Sequence, residues 1–441
     1  MTNALLPGSI YQHYVYSFPH KSAYRAIAPS IPLSRLWNAE DRSSLYLYVH
    51  VPFCEFRCGF CNLFTRAIPP AELPIRYLQQ LRSEADIVRA EIGEACYARM
   101  AIGGGTPTYL TERQLEELFA IALRMGARPE HAACGIECSP ATLTPSKLEL
   151  LLSLGVERIS IGVQSFSKEV CRSLGRPQDL DVTRAALDSL RHSSLSCLNV
   201  DLIYGAERQT PHDFVQSIDE LLRWRPNEVF IYPLYVRPLT GLGRKRDIQS
   251  DPTWDAHRLA CYRAGRDHLL TAGYNQQSMR MFSRDTSAGS NQPNYCCQVD
   301  GMLGLGCGAR SYTRSLHYST EYAVGRQAVH SILASYLARN PACFASAQYG
   351  YQLDEEDQWR RFTLMSLLHV SGLDAIAFQS RFTLAPEAAL PELLGLMENQ
   401  LAVREGSNWR LTAAGLERSD QIGPLLFSNN VRQRMEAYAC V

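Results

Sequence analysis

The chain has 441 residues, 46% hydrophobic and 20% charged, and its 44 Lys plus Arg are balanced by 44 Asp plus Glu. This describes a globular protein built as one large domain with a satellite, or as two to three ordinary domains, and the zero formal charge offers no overall surface for a polyanion. No apolar run reaches the roughly 18 residues of a membrane-spanning helix, and fourteen cysteines in so long a chain read as buried thiols or metal ligands rather than a disulfide framework.

The chain opens on "MTNALLPGSIYQHY", with no basic segment ahead of an apolar core, so a cytoplasmic location is expected. The stretch "YQHYVYSFPHKSAYR" (11–25) is aromatic and basic, with neither helical nor strand period. It is predicted to belong to an N-terminal arm (1–43) that packs on a barrel or wraps its mouth and helps enclose a substrate.

From residue 44 one theme repeats: a short β-rich run, a loop, then a helical pattern. Strands are predicted at 45–51, 99–102, 134–138, 158–163, 197–204 and 228–234, with amphipathic stretches at 72–92, 111–124, 144–154, 167–192 and 211–224. Such alternation predicts parallel βαβ units. Four strands have one aliphatic and one polar face: Leu45, Leu47, Val49 and Val51 oppose Tyr46, Tyr48 and His50, while Ile136 opposes Glu137. Ile159, Ile161 and Val163 oppose Ser160, Gly162 and Gln164, and Leu198, Val200 and Leu202 oppose Asn199 and Asp201. A doubly wound sheet, covered on both sides, reads as continuous apolar runs. One-sided polarity instead predicts a barrel with a wet interior, and six visible strands predict a partial (β/α)6 barrel over 44–282.

Further on, a helix is predicted over 254–272, a β-rich piece at 274–282 and a polar loop at 283–294, within a segment 283–354 that closes the barrel. Over 355–441, short helical patterns precede "LAVREGSNWRLT" (401–412), which reads as two strands joined by a Gly-Ser-Asn turn. This predicts a small helical, winged-helix-like lobe. No dense basic run accompanies it, so a packing role is expected and nucleic acid is not an expected partner.

"VHVPFCEFRCGFCNLF" (49–64) places Cys54, Cys58 and Cys61 as C-x3-C-x2-C in the loop after the first strand. Three readings compete: simple buried thiols, a zinc site completed by His50, and an iron–sulfur cluster. A [4Fe–4S] cube held by three thiolates leaves one iron open, as a catalytic cluster requires and a structural one does not.

The spacing and its place after the first strand resemble the signature of radical S-adenosylmethionine (SAM) enzymes, whose fold is a full or partial (β/α) barrel. That resemblance implies a [4Fe–4S] cluster on Cys54, Cys58 and Cys61, SAM on the open iron, and reductive cleavage of SAM to a 5′-deoxyadenosyl radical that abstracts a substrate hydrogen. "YVHVPFC" (48–54), "GGGTPT" (103–108), "IECSP" (136–140), "SIGVQSF" (160–166) and "DLIYG" (201–205) extend it to the oxygen-independent coproporphyrinogen III oxidase group, which includes the related haem chaperones. "GLGCGARSY" (304–312) resembles a later element of that group.

By that resemblance Tyr48, Gly104, Gly105, Thr106 and Glu137 contact SAM, as does the backbone of Phe60. Gln164, Arg176 and Asp201 match positions that bind a second SAM in the oxidase; Leu234 and Arg310 correspond less closely, because the surrounding loops differ. Each has a plainer reading beside it: a tight βα turn for the glycines, an internal salt bridge for Glu137, surface charge for Arg176. Cys296, Cys297 and Cys307 read as buried thiols or as extra ligands. The group implies a tetrapyrrole substrate and a reductant such as flavodoxin or ferredoxin.

The sequence also departs from the group. Leu63 stands where the oxidase has a further cysteine, Asn62-Leu63 replaces Asp-Phe of the chaperones, and Ala206-Glu207-Arg208 follows "DLIYG" in place of a Leu-Pro-like pair. These departures leave the oxidase reading beside two others: a haem chaperone with axial ligands such as His20, His50 or His317, and a radical SAM methyltransferase acting on another substrate.

Overall fold

A computed structural model describes residues 5–244, 251–284 and 296–439. Of the predicted polar loop, residues 285–294 lie outside that set. The six predicted strands form as β1 (Leu45–Val51), β2 (Tyr97–Gly104), β3 (Ala133–Cys138), β4 (Val156–Gln164), β5 (Cys197–Tyr204) and β6 (Glu228–Pro233). They lie side by side in that order, each parallel to the next. The connecting helices are α1 (Glu72–Ile92), α2 (Glu112–Arg124), α3 (Pro145–Ser153), the short α4 (Lys168–Ser173), α5 (Leu180–Arg191), α6 (Pro211–Leu222) and α7 (Pro252–Thr271).

The aliphatic strand faces pack outward against these helices. Leu45, Leu47, Val49, Ile159, Ile161, Val200 and Leu202 are wholly buried in one core with Leu78 and Leu81 of α1 and Leu115 and Leu118 of α2. The opposite faces keep accessible surface at Tyr46, Tyr48, Glu137 and Asp201. Alternation along each strand therefore separates a dry outer layer from a polar hollow, as the sequence predicts.

Beyond β1 the sheet continues through β7 (Met302–Leu305), parallel to β1, and then antiparallel strands β8 (Arg310–Tyr312), β9 (Leu316–Ser319) and β10 (Ser346–Gln352) to the early strand Arg25–Pro32. Beyond β6 it ends in the short strands Met281–Ser283 and Asn275–Gln276. Those two outer edges do not pair with each other, so the barrel is partial.

The C-terminal region carries helices Glu355–Leu367, Ala375–Phe382 and Glu392–Glu398 and the predicted hairpin, Ala402–Glu405 with Asn408–Leu411, joined by a third strand, Leu373–Asp374. Trp409, Phe378, Leu393 and Leu364 form its core, and Leu6, Val15, Phe18 and Tyr24 of the N-terminal segment are buried in that same core. None of the described helices is long and apolar enough to cross a membrane.

One long stretch differs from expectation. The pattern at 167–192 predicts a single helix, but α4 ends at Ser173 and α5 starts at Leu180. Gly175 takes φ +60 and leads into Arg176-Pro177, and proline disfavours helical geometry in the residue before it.

A buried strut ties α1 to the turn after β7. Glu84 accepts hydrogen bonds from Gly306 N (2.9 Å) and Tyr336 Oη (2.6 Å), while Tyr77 Oη donates to His50 O (2.7 Å) and accepts from Cys307 N (3.1 Å). Burial raises the Glu84 carboxyl to about 7, the two bonds opposing the shift. Its contribution to stability is thus fully present below the unfolded value of 4.5 and is lost as pH rises through about 7. Between thermal melts at about pH 5 and about pH 8, Glu84→Gln is expected to gain on the wild type, by up to roughly 3 kcal/mol. A pH-independent difference between the two proteins would refute this.

Candidate functional site

β1 delivers the cysteine loop. Its last residues lead through Pro52 into a short strand, Phe53–Cys54, where Cys54 is buried while Cys58 and Cys61 are half-buried in the turn beyond it. The turn is held by Gly59. Its N–H donates to Leu174 O (3.1 Å), its carbonyl accepts from Leu242 N (2.7 Å), and a Cβ there would lie 2.8 Å from Leu174 O. Gly175 faces it just as closely, so the break between α4 and α5 is the bed on which the cysteine loop rests.

Each thiol has a polar neighbour. Thr106 Oγ1 lies 3.6 Å from Cys54 Sγ, Arg176 Nη1 lies 3.3 Å from Cys58 Sγ, and Thr65 Oγ1 lies 4.0 Å from Cys61 Sγ. The three sulfurs are close enough for their charges to act on one another. Burial above all, then Cys61 and Cys58, push the Cys54 thiol up to about 12. Burial raises the Cys61 thiol as well, and an iron centre bound here would supply the charge that deprotonated sulfurs require. Donors aimed at sulfur fit a cluster whose electronics are tuned by hydrogen bonds.

His50 does not complete a zinc site. Its Nε2 lies 3.1 Å from Phe64 O and its Nδ1 3.3 Å from Tyr48 Oη, so both nitrogens have partners within the fold. His317 is likewise engaged, buried with Nε2 2.9 Å from Arg361 Nη1, and His20 Nδ1 lies 2.9 Å from Ser22 Oγ. Cys307 is buried in the turn on α1, and Cys296 and Cys297 stand at the start of the short helix Cys297–Asp300, outside the ligand loop.

The glycine run at the end of β2 has a separate reason at each position. A Cβ on Gly103 would lie 2.9 Å from the Glu137 carboxyl, one on Gly104 2.4 Å from the His50 ring, and one on Gly105 2.5 Å from Phe53 O and 3.0 Å from Cys54 Sγ. Gly104 also holds φ +113, and its N–H donates to Glu137 Oε2 (2.9 Å). Gly105 N and Thr106 N donate to Val51 O (2.8 Å) and Phe53 O (2.7 Å), which stitches the turn to the start of the cysteine loop.

Glu137 keeps accessible surface, yet the protein around it is dense enough that burial, with a contribution from Asp201, raises its carboxyl to about 7. It therefore lines the hollow rather than the outer surface. Asp201 accepts from Asn199 Nδ2 (2.9 Å) and, at 3.5 Å, from Ser160 Oγ; burial raises it to about 6. Gln164 ends β4 at φ +68, and its amide folds back over Gly162. Arg176 is buried rather than a surface charge: it donates to Gly162 O (2.6 Å) and Gln178 Oε1 (2.7 Å) and stacks over Phe56. Phe60 packs against an apolar cluster with Leu174, Ile203 and Leu234. The ligand loop, the glycine turn and Arg176 thus interlock, while Tyr48, Glu137, Gln164 and Asp201 occupy the inner faces or ends of β1, β3, β4 and β5.

The model for the Radical SAM superfamily matches residues 48–221, and that for the HemN C-terminal domain matches 353–417. The oxygen-independent coproporphyrinogen III oxidase of Bradyrhizobium diazoefficiens is 30% identical over 363 residues, covering 79% of this chain and 78% of its own. That of Cereibacter sphaeroides is 28% identical over 412 residues, covering 86% and 88%. The heme chaperone HemW of Haemophilus influenzae is 22% identical over 380 residues, covering 84% and 94%. The coproporphyrinogen III oxidase (HemN) structure from Escherichia coli superposes with a TM-score of 0.78 at 23% identity, covering 92% of this chain and 96% of that one, and shows the same fold. The chain belongs to the radical SAM enzymes of the oxygen-independent coproporphyrinogen III oxidase group. Membership implies SAM and an iron–sulfur cluster.

The N-terminal arm reaches both β6 and the C-terminal lobe. Tyr14 stacks on Tyr235 and meets Tyr232 of β6 edge-on, with the Arg280 guanidinium 3.9 Å from its ring centre. Arg280 pairs with Asp420 of the C-terminal lobe, to which Tyr235 also donates. The aromatic and basic make-up of 11–25 was the available signal.

The glycines give a direct test of this packing. Gly104→Ala puts a methyl on rigid ring atoms at a backbone angle that L-residues avoid, and is expected to cost about 2–3 kcal/mol. Gly103→Ala meets only the mobile end of Glu137 and is expected to melt close to the wild type. Equal melting temperatures for the two variants would refute the assignment.

Proposed function

We propose that Cys54, Cys58 and Cys61 bind a [4Fe–4S] cluster with SAM at its fourth iron, and that the enzyme carries out oxidative decarboxylation of propionate side chains on a coproporphyrinogen-type tetrapyrrole. The observation that carries this reading is the glycine turn that links the three-cysteine loop to Glu137: Gly105 lies against Cys54 Sγ while Gly104 N donates to Glu137. Cluster and SAM, when bound, would supply the one-electron chemistry needed to abstract a hydrogen atom from the substrate.

The chain's residues do the rest. Glu137 and Asp201 sit where bare carboxylates are costly, and a ligand with ammonium and sulfonium charges favours their ionised forms. Gly104 and Gly105 let the backbone approach that ligand, Thr106 stays beside Cys54, and Tyr48 and the Phe60 backbone flank it. Arg176 holds Cys58 against the end of β4, bringing Gln164 and Asp201 to one side of the hollow, where a second SAM would lie. The N-terminal arm covers the hollow and excludes water. The reductant we propose is a cytoplasmic flavodoxin or ferredoxin.

Anaerobically reconstituted protein with a strong reductant is expected to release 5′-deoxyadenosine from SAM, and CO2 when coproporphyrinogen III is added together with a one-electron acceptor that takes the electron left on decarboxylation. Replacing any of the three cysteines by alanine should abolish the cluster's visible absorbance and both products. Glu137→Gln should retain the cluster and weaken SAM binding about tenfold, near 1.4 kcal/mol. No 5′-deoxyadenosine from cluster-loaded wild type would end the enzymatic reading, and release without CO2 would end the substrate assignment.

A further inference from the structure

Five basic side chains gather where the arm meets the barrel. Lys21 is 6% exposed, and its ammonium donates to Gly308 O and lies 5.9 Å from the Tyr322 ring centre. Arg310, on β8, donates from Nη1 to Ser17 Oγ (2.6 Å) and stacks on Tyr16 at 4.6 Å. Arg237, after β6, donates through both terminal nitrogens to Gln12 O (3.1 Å each) and stacks on Tyr235 at 5.1 Å. His13 and His20 meet edge to face with ring centres 4.9 Å apart, and His13 Nε2 is buried with no hydrogen-bond partner.

Among the described residues, none of the five forms an ion pair with a carboxylate. The groups acting on His20 are His13, Arg310, Arg237 and Lys21, all basic, and together with the dominant effect of burial they hold its imidazole well below the usual range. Burial first and Arg310 second likewise depress the Lys21 ammonium. His20, Arg237 and Arg310 nonetheless retain accessible surface, so the cluster opens onto a space rather than being sealed. Basic groups buried together without an anion are unfavourable, since each needs a counter-charge that protein-only contacts leave out. Three other arginines find a carboxylate within the fold: Arg280 has Asp420, Arg258 has Asp255 and Arg158 has Glu228.

We propose that Lys21, Arg237 and Arg310, with His13 and His20, form a subsite for a carboxylate of the organic substrate. Arg237 and Arg310 carry forked donors suited to a carboxylate, Lys21 adds an amine whose charged form an anion would favour, and the His13 nitrogen without a partner adds a further polar contact. Tyr16 and Tyr322 flank the subsite with aromatic surface for the carbon skeleton attached to that carboxylate. For the identity of the ligand the inference rests on the substrate reading above, and the experiment separates the two.

The test uses the holoenzyme with saturating SAM, so that SAM's own carboxylate is already placed. At matched ionic strength 3-phenylpropionate is expected to raise the melting temperature and 3-phenylpropanol to leave it unchanged. Arg237→Gln, at a half-exposed position, and Lys21→Met should each lose more than half of the acid's shift while keeping the cluster's absorbance. Coproporphyrin III fluorescence should titrate with an affinity about tenfold weaker in Arg237→Gln, and its tetramethyl ester should bind poorly to every form. The proposal is overturned if the acid gives no shift in the wild type, if Arg237→Gln keeps the full shift, or if the shift is present without SAM and vanishes with it. A shift with 3-phenylpropionate but no binding of coproporphyrin III would support the carboxylate subsite and remove the tetrapyrrole assignment.

Discussion

The site depends on one close approach. Gly104 and Gly105 bring the end of β2 against the His50 ring and against Phe53 O and Cys54 Sγ, at separations that leave no room for a Cβ, while Gly103 lies against the end of the Glu137 side chain. Because Gly105 N and Thr106 N bond into the ligand loop, the position of Cys54 is set by β2 as much as by β1. Because Gly104 N bonds Glu137, the same turn fixes the carboxylate that faces the hollow. A second close approach, Gly59 on Gly175, fixes the far side of the loop and places Arg176 beside Cys58. The loop is thereby clamped by backbone from two directions, which gives its thiols a defined geometry without a fourth cysteine nearby.

The hollow is divided by charge. Glu137 and Asp201 occupy the side built by β3 and β5, and burial raises both carboxyls. The basic cluster occupies the side built by the arm, β8 and the segment after β6. A radical SAM enzyme must bind a cation bearing a sulfonium, and a propionate-bearing tetrapyrrole is an anion. The carboxyls and the basic groups thus stand in two separate places, the first suited to a cation and the second to an anion.

Much of this was legible in the sequence because strand faces alternate strictly. Glu137 and Asp201 could be assigned to the interior from Ile136, Val200 and Leu202 alone, and the hairpin at 402–411 followed from its turn residues. The break at 174–179 was not predicted, although Pro177 carried a local sign of it; the contact it makes with Gly59, more than a hundred residues away in the chain, has no local signature. Arg176 therefore read as equally suited to the surface and the interior. The arm was opaque for the same reason. Without periodicity, its conformation is set by partners such as Asp420, Gln298 and Phe427, which no local pattern reveals.

The arm also explains what the C-terminal lobe contributes. Leu6, Val15 and Phe18 are buried with Phe378 and Trp409, so the arm's apolar side belongs to the lobe while its polar side faces the barrel. Gln421 Nε2 donates to Leu6 O (3.3 Å) and Gly8 O (3.2 Å), and His13 N donates to Asp420 O (3.3 Å). Between these anchors and the strand Arg25–Pro32 lie His13, His20 and Lys21, with Arg237 and Arg310 reaching them from the barrel. A lobe that held only itself together would need none of these bonds. Its packing on the arm sets where the basic residues stand, so it acts on the hollow through that segment without lining it.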